Sequence, residues 1–229
     1  MKKSVFLLVA LSLFLSVCLG QTEIREVRDF SKVSVRGSFD VVLEKGTSPE
    51  VRLELENISS DEIITEVDGN TLVIKQKEGS WRKWRQAKVK AYVTYESLEG
   101  ISNGGSGNLR CDTELAAKDF RLRNAGSGNI YLSRLDVDEL DASLSGSSNL
   151  MLGGRADDVT LSISGSGNVK AFELESETVD ARVSGSGNLD VTANEDIRAS
   201  VSGSGNIRYK GNASVSSMRS SGSGSIRKV

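Results

Sequence analysis

Residues 79–90 read GSWRKWRQAKVK and hold both tryptophans of the chain, Trp81 and Trp84. Arg82, Lys83, Arg85, Lys88 and Lys90 surround them, and Lys77 stands just before. An indole face stacks on flat or apolar ring faces, and a neighbouring guanidinium grips an anion. Trp81, Arg82, Trp84 and Arg85 together therefore suit a sugar ring that carries acidic groups. The competing role is structural, a loop whose indoles cover an open sheet edge.

A second set of groups is acidic. Asp157, Asp158, Glu173, Glu175, Glu177, Asp180, Glu195 and Asp196 fall at chain corners about twenty residues apart. Clustered carboxylates can cleave glycosidic bonds when one gives a proton and another attacks or activates water. Such residues equally form a solvated rim. The chain has no histidine, so it lacks the commonest general base and the commonest metal ligand. GGSGN at 104–108 resembles the calcium-binding nonapeptide, but the aspartate is missing and the period is about twenty rather than nine. Neither a metal nor a cofactor is expected. Cys111 is the only cysteine beyond Cys18, so no internal disulfide is expected within residues 21–229. It reads as a buried small thiol.

The third group is a repeat. GSGN or a close variant begins at Gly105, Gly126, Gly146, Gly165, Gly185, Gly203 and Gly222; the third copy is GSSN and the last GSGS. Ser106, Ser127, Ser166, Ser186 and Ser204 recur one residue after the first glycine. Asn108, Asn129, Asn149, Asn168, Asn188 and Asn206 recur three after it. These form a polar column that fits either tight-turn geometry or a repeating polymer.

The elements that position these groups are set by the phase of the repeat. Four residues after each first glycine stand Leu109, Ile130, Leu150, Val169, Leu189, Ile207 and Ile226. Two and four residues before it the side chains are again mainly apolar, and odd offsets are mainly polar. Alternation of period two means strands with one buried face. A unit of about twenty residues cannot enclose a core alone, but stacked copies can. At ~3.3 Å per residue a coil is about 60 Å around, and coils stack ~4.8 Å apart. The predicted fold is all-β, a single-stranded right-handed parallel β-helix. An earlier copy, VSVRGSFDVVL at 33–43, has Phe39 for the second glycine and Asp40 for asparagine. VRLELE, TLVIKQ and VKAYVTY come next, with Asp68-Gly69-Asn70 marking a turn.

MKKSVFLLVALSLFLSVCLG at 1–20 has a basic start, a short apolar run and small residues before Gln21, the pattern of a secretory signal peptide. Lipid anchoring at Cys18 is disfavoured by the bulky Val17 before it. Loss of Lys2 and Lys3 with this leader takes the formal charge from −2 to −4, which excludes a nucleic-acid partner. No later apolar run is long enough to be a transmembrane segment. Three parts are expected: a leader at 1–20, an N-terminal β-rich part at 21–100, and a GSGN-repeat β-helix at 101–229. The second and third parts are expected to be continuous with each other.

DFSKVSVRGSFDVVLEKG, then TLVIK, then serial SGSGN words in that order, make residues 27–227 resemble the family called putative auto-transporter adhesin, head GIN domain. The resemblance implies a β-helical fold, an envelope or surface location and no established enzymatic activity. No membrane barrel is expected after the repeats, which would set the chain apart from a self-exporting protein. The function expected is an exported, non-enzymatic β-helix, in the periplasm or at the surface, that binds a polysaccharide or other cell-surface component. The alternatives are a polysaccharide lyase or glycosidase and a structural envelope protein that assembles end to end.

Overall fold

A computed structural model describes residues 21–79 and 82–229. The leader, Cys18 and Trp81 lie outside the described residues. The N-terminal part contains β1 (Gln21–Glu26), β2 (Lys32–Arg36), β3 (Asp40–Lys45), β4 (Glu50–Glu56), β5 (Ile63–Asp68), β6 (Thr71–Gln76) and β7 (Lys88–Tyr95). The repeats supply β8 (Gly100–Asn103), β9 (Leu109–Cys111), β10 (Leu115–Asn124), β11 (Ile130–Leu144), β12 (Asn149–Ile163) and β13 (Asn168–Gly185). They end with β14 (Asn188–Thr192), β15 (Asp196–Gly203), β16 (Asn206–Lys210), β17 (Ser214–Gly222) and β18 (Ser225–Lys228).

Each repeat strand pairs in parallel with its equivalent one repeat away, and the register superposes like residues. Val41, Leu109, Ile130, Leu150, Val169, Leu189, Ile207 and Ile226 form one file through the stack. The file is buried from Val41 to Ile207. A second file runs Val33, Ile101, Leu122, Ala142, Leu161, Ala181 and Ala199. The two files belong to one continuous hydrophobic core, and the molecule is a β-solenoid as expected.

The first glycines mark a bend where neighbouring coils touch through backbone. A Cβ on Gly126 would lie 1.9 Å from the carbonyl oxygen of Gly105, and one on Gly185 2.4 Å from that of Gly165. A side chain has no room there, which is why the glycine recurs. Gly203 and Gly222 also have φ of +132° and +112°.

The N-terminal part joins the same sheet but changes direction. β2 pairs in parallel with β8 on one side and β6 on the other; β3 does the same with β9 and β7. The coil made by β6 and β7 therefore lies outside the coil that precedes it in sequence. Beyond it, β4 pairs antiparallel with β7, β1 with β4, and β5 with β6. Arg25 ties β1 to this second edge, donating to the carbonyl oxygens of Ile63 (2.7 Å) and Ser60 (2.9 Å) and to Thr65 Oγ1 (2.9 Å).

Candidate functional site

The connection from β6 to β7, residues 77–87, takes the place that GSFD occupies in the next coil and GSGN in those beyond. Its middle is a single 3₁₀ turn, Lys83–Arg85. Trp84 is half-buried, and its ring lies 5.9 Å from that of buried Phe39 at 32°. Phe39 stands where later copies have the second glycine, so its bulk is covered by the indole. Arg82 and Arg85 are exposed. Lys83 pairs with the buried carboxylate of Glu62, which anchors the turn. Of the four sequence-selected residues, three lie together here, and Trp81 is outside the described residues.

The GSGN corners continue from this point as a ladder of amides. Asn108 Nδ2 donates to Asp40 Oδ1 (3.2 Å), Asn129 to Asn108 (3.0 Å) and Asn149 to Asn129 (3.0 Å). Asn168 donates to Asn149 (3.1 Å), Asn188 to Asn168 (2.9 Å), and Asn206 to Asn188 (3.0 Å). Ser225 Oγ closes the series on Asn206 Oδ1 (2.8 Å). The Oδ1 atoms of Asn108, Asn129 and Asn168 also accept the backbone N–H of the next rung. All donors point toward the N-terminal end, where the Asp40 carboxylate meets the positive end of the aligned amide dipoles. Each Nδ2 has two hydrogens and spends one on the ladder, whereas most of the acceptors are used twice. The outer face of the ladder therefore offers donors. Ser106, Ser127, Ser166, Ser186 and Ser204 stand exposed beside it.

Where the ladder reaches the last coils it borders a groove of about 420 Å³ lined by Asn168, Asn188, Asn206, Lys170, Asp190, Arg208 and Arg227, with Ser225. Lys170, Asp190, Arg208 and Arg227 are consecutive members of one column. Asp190 is 8% exposed. It takes Arg208 in a two-pronged pair, Nε to Oδ1 at 2.6 Å and Nη2 to Oδ2. That hydrogen bond and charge hold the guanidinium above its usual pKa. Phe172 lies 5.7 Å from both Arg208 Cζ and Lys210 Nζ. Residue types alone do not single out this group. Its signal in the sequence is the basic residue recurring five after the first glycine, in GSGNVK and GSGNIR, and the absence of any acid after Asp196.

The acidic corner residues are interleaved with other side chains. Arg155 sits between Asp136 and Glu175 in its column and pairs with Asp157 (2.9 Å) and Glu177 (3.7 Å). Asp158 accepts a hydrogen bond from Thr178, and Asp180 pairs with Arg182 (2.6 Å). Asn194 donates to Glu175 at 3.1 Å. A wider groove of about 600 Å³ on the opposite strand set holds Asp119, Glu139 and Asp158 in one column, with Lys32, Lys118 and Arg121 nearby. Arg121 pairs with Asp141 at 3.4 Å. Among the described residues no three His, Cys, Asp or Glu side chains are grouped to hold a metal. Cys111 is buried with its Sγ 3.4 Å from Tyr95 Oη. No described helix is long and apolar enough to cross a membrane.

Solved structures share this architecture. A putative adhesin from Bacteroides fragilis is 26% identical with a TM-score of 0.85, over 91% of this chain and 96% of that one. A putative lipid binding protein from Parabacteroides distasonis is 25% identical with a TM-score of 0.74, over 91% and 96%. A putative adhesin from Parabacteroides merdae, 19% identical with a TM-score of 0.73 over 91% and 95%, shares the fold. No curated protein matches the sequence. The family model described as putative auto-transporter adhesin, head GIN domain, matches residues 29–213, the first repeat-like copy through the sixth GSGN coil. The chain belongs to that family.

Proposed function

We propose that the chain is an exported, adhesin-like protein that works by binding rather than catalysis, and that its ligand is a glycan or other cell-envelope polymer lying along the GSGN corner. The family and a solved neighbour described as a putative adhesin support adhesion and an exported or surface location. The observation that carries the ligand reading is the amide ladder, which presents one spare N–H per rung from Asn108 to Asn206. Rungs repeat every ~4.8 Å, so the edge is a row of donors over roughly 25 Å. An extended polymer rich in hydroxyl and carboxylate oxygens uses such a row; a compact ligand uses one or two rungs. Arg82, Trp84 and Arg85 lie at the Asp40 end of the same edge, where an indole and two cations extend it.

The 25% identical Parabacteroides distasonis structure is described as a putative lipid binding protein, which makes lipid the second candidate. The polymer is favoured because the ladder edge is a row of amide donors and, Val169 apart, every residue lining its groove is polar or charged. The test is a glycan array probed with residues 21–229, alongside vesicles of neutral and anionic phospholipid. Glycan binding that weakens in Trp84→Ala and in Arg82→Gln/Arg85→Gln supports the reading. Binding to vesicles alone, or release of reducing ends from a bound polysaccharide, overturns it.

A further inference from the structure

Charge is segregated along this chain. Asp196 is the last acidic residue, and Arg198, Arg208, Lys210, Arg219, Arg227 and Lys228 come after it. The stack converts that sequence asymmetry into a patch, because β14, β16 and β18 lie in register. Lys170, Arg208 and Arg227 then share one wall of the 420 Å³ groove with the amides of Asn168, Asn188 and Asn206. Lys170 and Arg227 have no carboxylate within 4 Å among the described residues. Arg208 is fixed by Asp190, which also offsets its charge, so the column carries three cations and one carboxylate. The Nε and Nη2 of Arg208 are spent on the buried Asp190, which leaves Nη1 for a ligand and stops the side chain from swinging.

We infer that this groove is a binding site for an acidic polysaccharide, with Arg208, Arg227 and Lys170 taking successive carboxylates and the ladder amides taking hydroxyls. The inference deepens the reading given under Proposed function and rests on it. Arg208 and Arg227 are one coil apart, about 4.8 Å, and Lys170 is two coils from Arg208, about 10 Å. That is a row of cations matched to a chain of charges, not a pocket for one small anion. A neutral glycan gains nothing from three cations that must be desolvated to reach it. A nucleic acid would bring phosphates, but the groove lining has no aromatic side chain on which bases could stack. Asp190 is a positioning residue, because it acts through Arg208.

The experiment titrates residues 21–229 with oligogalacturonate, with uncharged dextran and with single-stranded DNA, at low and at moderate salt. Oligogalacturonate is expected to bind, more weakly as salt rises. Arg208→Gln and Arg227→Gln are each expected to weaken it about tenfold, the worth of one charge-assisted hydrogen bond pair. Lys170→Gln serves as a second variant, and circular dichroism checks that each variant is folded. Asp190→Asn removes the one carboxylate of the column and frees Arg208 from its fixed position, so the salt dependence of binding is expected to steepen. Equal affinity for dextran, stronger binding of DNA, or oligogalacturonate affinity indifferent to all three cation variants overturns the inference. Dextran binding alone leaves the envelope-polymer reading standing and removes this one; binding to none of the glycans on the array removes both.

Discussion

Asn124 Nδ2 donates to Ser148 Oγ at 2.9 Å, across one coil and 24 residues of sequence. The contact involves the serine of the GSSN word, which stands where the other copies have their second glycine. In the later coils the second glycine faces an aliphatic side chain of the coil before, Leu144 for Gly167 and Ile163 for Gly187, whereas Gly128 stands over another asparagine, Asn103. Beneath Ser148 that side chain is Asn124, which is buried and also donates to the carbonyl of Gly128 at 2.8 Å. A hydroxyl replaces the missing Cβ space with a hydrogen bond. Ser148→Ala is expected to cost about 1–2 kcal/mol in urea denaturation, because a buried amide hydrogen loses its acceptor. Asn124→Leu/Ser148→Gly rebuilds the regular pattern and is expected to recover that loss or exceed it. A double mutant no more stable than Asn124→Leu alone contradicts the pairing.

Glycine at the coil contact is expected to be irreplaceable for a steric reason. A Cβ at position 187 would stand 2.1 Å from the carbonyl oxygen of Gly167 and 2.8 Å from Ile163 Cγ2. Gly187→Ala should cost about 3 kcal/mol or more, at the upper end of overpacking effects. Gly69, at the β5–β6 turn with φ +58°, has nothing within 4 Å of its notional Cβ. Gly69→Ala should cost about 1 kcal/mol, from the backbone alone. Denaturant midpoints of the two variants check the ordering.

The ladder should matter to stability and its neighbouring serines should not. Asn168→Ala removes the bond to Asn149 and strands the Asn188 side chain and backbone N–H. About 1–2 kcal/mol is expected for a half-buried site. At the ladder's start, Asp40→Asn keeps an acceptor for Asn108 and should be milder than Asp40→Ala. Ser147→Ala, at an exposed position, should stay within about 0.5 kcal/mol. Equal losses at Asn168 and Ser147 would contradict the assignment.

Acid should loosen the N-terminal edge first. The Glu23 carboxyl is held below its usual value of 4.5 by hydrogen bonds with Ser60 and with Arg25, in that order. A lowered pKa in the folded state stabilises above the unfolded value and is lost as pH falls through the folded one. The protection of β1 amides, their exchange relative to the unstructured rate at the same pH, should therefore fall below about pH 4.5, before that of β11–β13. Glu23→Gln should flatten that dependence. Unchanged pH sensitivity in the variant assigns the effect elsewhere.

Period two and a fixed phase made the repeat coils legible. The file from Leu109 to Ile207 could be written down from offsets alone, because a one-residue slip would turn every aliphatic outward. Asn108 to Asn206 were readable as a column for the same reason, though not the direction of their hydrogen bonds. The order of the first coils was not legible. β6 and β7 lie outside β2 and β3, and β4 runs antiparallel to β7; nothing in VRLELE or VKAYVTY specifies a partner or a direction. The role of Phe39 as the ring beneath Trp84 was hidden for the same reason, since the two are 45 residues apart. Lys170, Arg208 and Arg227 were missed because they are 38 and 19 residues apart in sequence, and only stacking makes them neighbours.

The central claim is that an extended ligand lies on the ladder edge, using the outward hydrogens of the asparagine amides. The most direct measurement tracks the side-chain NH₂ resonances of Asn108, Asn129, Asn149, Asn168, Asn188 and Asn206 by two-dimensional NMR while a glycan that binds is added. Shifts at several consecutive rungs, with backbone amides of β10 and β15 unmoved, are the expected result. Saturable binding that leaves all six side-chain signals in place contradicts it.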